Sequence, residues 1–203
     1  MAFSYPLTMP AYPKPSEIIY RLRAAQTTST SPFSFASQIA DWGGQQWEVD
    51  LAYPPMTKTE ARSWVSFLLE LRGRVGSFYF YPPDDRVLGV GGGSPVVSTK
   101  ISIASVSITG APNSTSGWLN AGDWFSFANG ELKRVIGNVN SDGSGNAKII
   151  FSPNIRQDPS PSSQVATETA RGIFELVDPN IKFDVTKVQH HGFRIVIQEK
   201  INV

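Results

Sequence analysis

The chain has 203 residues, 18 Lys and Arg against 17 Asp and Glu, and no cysteine; 17% of its residues are charged and 40% hydrophobic. A net charge of +1 excludes bulk electrostatic attraction to nucleic acid, and the lack of cysteine excludes a disulfide framework or a thiolate metal site. The 12 Phe, 6 Tyr and 5 Trp exclude a disordered chain, while 17 Gly and 15 Pro point to a turn-rich, mainly β protein.

Residues 1–15 carry Pro6, Pro10, Pro13 and Pro15 with Tyr5 and Tyr12 between them. This spacing favours extended, polyproline-like backbone, either a loose tail or an arm that orders against a neighbour. The segment lacks the basic-then-apolar pattern of a signal peptide, and no apolar run approaches the ~18 residues of a membrane span. A soluble chain without membrane insertion is expected, made in a cytoplasm and kept there or built into an assembly.

Alternation predicts a strand over 18–24, with Ile18, Tyr20, Leu22 and Ala24 on one face and Ile19, Arg21 and Arg23 on the other. Residues 27–32 read as a polar turn, Phe33 and Phe35 as the start of a second extended stretch, and Gly43-Gly44 as another turn. Over 46–52 the pattern resumes, with Trp47, Val49 and Leu51 inward and Glu48 and Asp50 outward. Thr57 followed three residues later by Glu60 is a capping box. Ala61, Trp64, Val65, Leu68 and Leu71 then make one apolar face and Gly73 a stop, so a helix is predicted over about 58–72.

An aromatic strand follows at 77–81 (SFYFY), ended by Pro82-Pro83, and then a glycine-rich linker at 89–95. Short strands are predicted at 100–108, 124–127, 131–139 and 147–151, with Asp142-Gly143 as a hairpin turn, which suggests a small barrel or sandwich. Residues 157–171, rich in Ser, Thr and Pro, read as a second linker. Strand patterning returns at 172–179 and 181–203, where Phe193, Ile195 and Ile197 oppose Arg194, Val196 and Gln198. This last segment is too short to fold alone and is expected to complete the first sheet. The predicted fold is therefore mainly β: a β-sandwich scaffold from 1–85 and 172–203 with one packed α-helix, and an inserted small β-barrel-like module at 86–171.

Motifs with chemistry are weak throughout. The run from Gly89 to Pro95 lacks the Lys and Ser or Thr of a phosphate loop. Asn140, Asp142, Ser144 and Gly145 begin like a calcium loop, but Phe151 stands where the bidentate glutamate belongs. Adjacent His190 and His191 point to opposite faces of a strand, and no nucleophile elbow accompanies them or Asp184. Asp41, Glu48, Asp50, Asp123 and Glu131 read as solvated carboxylates rather than a glycosidase pair. Asn113-Ser114-Thr115 fits a glycosylation sequon without an export signal. No catalytic residue, metal site or cofactor is expected, and the chain is not expected to be an enzyme. Most aromatics read as core or subunit interface. Trp118, in the loop 117–123, is the best candidate for an exposed contact.

The order of elements from Phe33 to Pro83 carries more information. It comprises a strand, the turn ADWGGQQWEVDLAYPPMT, the capped helix of TEARSWVSFLLELRGRVGSFYFYPP and an aromatic strand ending at a proline pair. This order resembles the distal tail protein family of long-tailed phages, including the minor tail protein M type. The resemblance covers 18–84 and 172–203 and the insertion only loosely; the family usually carries its extra β-domain on the C-terminal side. It implies a β-sandwich with a packed helix, and a structural virion subunit in the tail, assembled in the host cytoplasm. Such a subunit self-associates into a ring, commonly a hexamer, that joins the tail tube to the tip hub or baseplate. Candidate interface residues are Trp42, Trp47, Arg72, Arg74, Phe78, Tyr79, Phe80 and Tyr81; Arg72 and Arg74 also suit the C-terminal end of a helix dipole. The alternative is a carbohydrate-binding or host-recognition module, in which Trp118 and Trp124 of the insertion stack on a host glycan.

Overall fold

A computed structural model describes residues 4–83, 88–180 and 193–200. In chain order its elements are β1 (Leu7–Thr8), β2 (Glu17–Thr30), β3 (Ser37–Ala52), α1 (Lys58–Leu71), β4 (Phe78–Phe80), β5 (Val96–Ser102), β6 (Ser105–Thr109), β7 (Trp124–Phe127), β8 (Leu132–Val135), β9 (Ala147–Ser152), β10 (Val165–Ala166), β11 (Gly172–Leu176) and β12 (Arg194–Glu199). The protein is mainly β with one helix and two six-stranded sheets.

The first sheet has the order β1-β4-β11-β12-β3-β2, so the two strands from the end of the chain lie in its middle. Its pairings are antiparallel except the short β1–β4 contact. Register sets Tyr20 opposite Val49, Val49 opposite Ile197 and Leu51 opposite Ile195. Because side chains alternate, this places Trp47, Val49, Leu51, Ile197, Phe174, Phe78 and Phe80 in one core. The opposite face carries Arg21, Arg23, Glu48, Asp50, Glu175 and Arg194.

Helix α1 packs on the apolar face. Thr57 accepts from the Glu60 N–H and the Glu60 carboxylate accepts from the Thr57 N–H, completing the expected capping box. Trp64, Phe67, Leu68 and Leu71 are buried, and Phe67 meets Phe78 edge-on at 5.3 Å. Arg72 takes the left-handed conformation that ends the helix, followed by Gly73 at φ 70°. Over residues 5–12 the proline-rich segment is not a loose tail but packs on its own chain. Tyr5 donates its hydroxyl proton to the Glu70 carbonyl, the Trp64 indole N–H donates to the Tyr12 carbonyl, and Leu7 and Met9 pack on the core.

The second sheet runs β10-β7-β8-β9-β6-β5 and nearly closes into a barrel. Closure comes from the Val96–Gln164 bridge and from N–H donation by Val97 to Ser163 and by Val165 to Pro95. Phe125, Phe127 and Phe151 meet edge-on at its centre, with centroids 5.4–5.8 Å apart. Several local expectations are corrected here. The predicted single strand 100–108 is a hairpin, β5–β6, because Ile103 and Ala104 form a turn. Residues 157–171 contribute β10 and bury Val165, Thr167 and Ala170, so they belong to the wall rather than to a linker. The glycine run 89–93 is a strap across the barrel. Val90 and Gly91 donate to the Gly117 and Trp118 carbonyls, and a Cβ on Gly93 would stand 2.5 Å from the Gly110 carbonyl oxygen.

The two sheets are fused along β8. Trp124, Leu132 and Ala170 belong to the core of the first sheet, and the Trp47 indole N–H donates to the Leu132 carbonyl at 3.1 Å. A buried ionic cluster crosses the same junction. Lys133, fully buried, sits 2.6 Å from the Glu131 carboxylate and donates to the Asn154 carbonyl. Glu199 of β12 accepts from the Leu132 N–H through one oxygen and faces Arg156 at 2.8 Å through the other.

Candidate assembly surface

Strands β2 and β3 run on well past the core. Beyond the Ala24–Gln45 pair they continue as far as Thr30–Ser37, a projection of about 20 Å at ~3.3 Å per residue. At its root the register shifts, and Trp42, Gly43 and Gly44 stand opposite Ala25. This is a bulge, not the predicted Gly43-Gly44 turn, and the predicted polar turn at 27–32 is strand as far as Thr30. Gly43 takes φ 71°, its N–H donates to Asp41, and its carbonyl accepts from Asn154 of the barrel. Arg156 also donates to the Gln45 carbonyl, so the arm is braced where it leaves the body.

The arm tip is the turn 31–36, and there Phe33 and Phe35 sit rather than in a new strand. Their exposures are 96% and 82%; Ile39 and Trp42 follow at 62% and 68%. Over 24–44 the only charged residue is Asp41. Solvated edge strands are ordinarily protected by lysines, inward charges or short length. This hairpin is long, has β2 as the outer strand of its sheet, and carries Ala, Ser, Thr and Gln on both faces. It suits contact on both sides better than permanent exposure to water.

A second apolar surface lies on the outside of the barrel. The Ile136 N–H donates to the Ile150 carbonyl, and Ile150 pairs with Ser105 beside Ile103 of the β5–β6 turn and Ile101 at the end of β5. All four isoleucines are about half exposed. Lys148, two residues before Ile150, shares its outward face and pairs with no carboxylate among the described residues.

The predicted interface residues separate into two groups. Trp42, Arg72 and Arg74 are exposed, with Arg74 paired to Glu175 at 3.1 Å. Tyr79 and Tyr81 are partly exposed and engage Arg171, which lies 4.1 Å over the Tyr79 ring and donates to the Tyr81 hydroxyl. Trp47, Phe78 and Phe80 are corrected to core residues of this chain, since each points to the helix side of the sheet. Trp118 and Trp124 are corrected as glycan-stacking candidates, with 0% and 1% exposure. The 117–123 loop folds back over the barrel, so that Trp118 donates to the Gly92 carbonyl, and Trp124 lies between Trp47 and Tyr20.

The candidate carboxylates are each engaged structurally. Glu48 pairs with Arg21 and Arg23, and Asp50 makes a two-bond contact with Arg194 at 2.6 and 2.7 Å. Asp123 accepts from the Leu88, Gly89 and Asn120 N–H groups, and Glu131 belongs to the buried cluster. Asp142 accepts from Ser144 and Asn146, which pulls its carboxyl below the usual aspartate value and fixes the turn at Asp142-Gly143. Asp184, His190 and His191 lie outside the described residues. Among the described residues no three His, Asp or Glu side chains gather as a metal-binding group.

Sequence reasoning missed Phe33, Phe35 and Ile39 as surface residues. The signal was the charge-poor run 24–44, with aromatic residues flanked by Ser and Pro. In comparisons with known proteins, no family model and no curated sequence matches this chain.

Proposed function

We propose that the protein is a structural subunit of a phage tail that self-associates into a ring at the distal end of the tube, where it meets the tip hub or baseplate. The observation that carries the reading is the projecting, charge-poor hairpin with its exposed aromatic tip. A surface of this kind is stable in solution when a neighbour covers it. The resemblance of 18–84 and 172–203 to distal tail proteins supplies the tail context. The polar face of the first sheet is an unsuitable contact, because its arginines and carboxylates already pair with one another across β2, β3 and β12.

Negative-stain imaging of the purified chain tests this reading. Annular particles with an open lumen are expected. Uniform particles of single-chain size at high protein concentration would contradict it.

A further inference from the structure

We propose that the arm of one copy seats on the isoleucine row of a second copy, with Phe33 and Phe35 over Ile136 and Ile150. The inference rests on the self-association proposed above and names the two surfaces that meet. The exposed apolar side chains of the arm offer about 600 Å² if an aromatic side chain buries ~200 Å², close to the ~800 Å² that each partner contributes to a standard interface. The isoleucine row is the matching half. It runs from Ile136, just after β8, across β9 to the β5–β6 turn, where the four side chains are about half exposed.

A contact between two different patches on identical chains uses one arm and one row from each copy. If its rotation closes, every arm and every row in the resulting ring is covered. A foreign partner for the arm would leave the isoleucines of the same chain in water.

The absence of cysteine makes the test direct. Phe35→Cys and Ile150→Cys are prepared separately, mixed and oxidised. A disulfide-linked dimer is expected in the mixture and in neither preparation alone. Ile136→Asp or Ile150→Asp should each weaken self-association several-fold; both side chains are about half exposed, and a melt of each variant checks that the fold is kept. Annular particles from the native chain, with no mixed disulfide and no response to the isoleucine changes, would overturn the arm-to-row contact and leave the ring standing. The mixed disulfide without annular particles would support the contact and overturn the ring. A native chain that stays monomeric, with no mixed disulfide, would overturn both.

Discussion

Lys133→Met is the most informative perturbation of the fold. The cluster holds two anions, Glu131 and Glu199, against two cations, Lys133 and Arg156, so it is neutral as built. Lys133 is fully buried and Glu199 is nearly so, at 0% and 1% exposure. Replacing the ammonium by a thioether of similar length keeps the packing and leaves one negative charge without compensation. Breaking a buried pair in this way costs about 3–5 kcal/mol, a large share of the ~5–15 kcal/mol that holds a domain. At ~2–4 °C per kcal/mol for a chain of this size, thermal unfolding should move down by about 10 °C. Adding Glu131→Gln restores neutrality and should recover most of the loss. Circular dichroism melts of the three proteins are the assay. Glu199 comes from β12 of the first sheet and the other three groups from the barrel, so Lys133→Met should also split the melt into two steps. A loss below about 1 kcal/mol, or a double variant no better than the single one, would refute the reasoning.

Three further outcomes are expected. Burial holds the Lys133 ammonium below its ordinary value of 10.5, so the unfolded chain binds more protons in the window between the two values. Stability from this group therefore rises with pH across that window, and urea titrations should show a pH-dependent rise in the native chain that Lys133→Met lacks. Trp118→Ala should cost about 3–5 kcal/mol in chemical denaturation, because it empties a core site and strips a donor from the Gly92 carbonyl; a near-neutral change would return Trp118 to the surface. The pair Phe33→Ser and Phe35→Ser should leave stability within about 0.5 kcal/mol while abolishing self-association, measured by melting and by light scattering on the same sample.

The legible parts of the sequence were those whose signal is local. Thr57, Glu60 and the apolar spacing of α1 specify a helix from adjacent residues, and the alternations around Trp47 and Ile195 specify which face is buried. The same alternation separates Phe78 and Phe80, which are buried, from Tyr79 and Tyr81, which reach the surface. The arm was harder because its apolar alternation stops at Ala24. From there to Thr30 the strand is made by pairing with β3 alone, using Thr, Ser and Gln. Gly43-Gly44 has turn chemistry but serves a bulge. Trp118 sits among polar and glycine residues that suggest exposure; its burial depends on the strap 89–93 closing over it, a contact between distant segments. The Lys133 cluster is equally non-local, since Glu199 meets the Leu132 N–H of β8 across a sequence separation of 67 residues.

The central claim is that this chain is built to bind itself. Multi-angle light scattering gives the native mass directly against the 22.2 kDa chain. The account predicts one species at a closed integer multiple, and a single-chain mass for a variant in which residues 26–41 are replaced by a short turn. A 22.2 kDa species for the native chain at every concentration, or the same multiple with the arm removed, would contradict it.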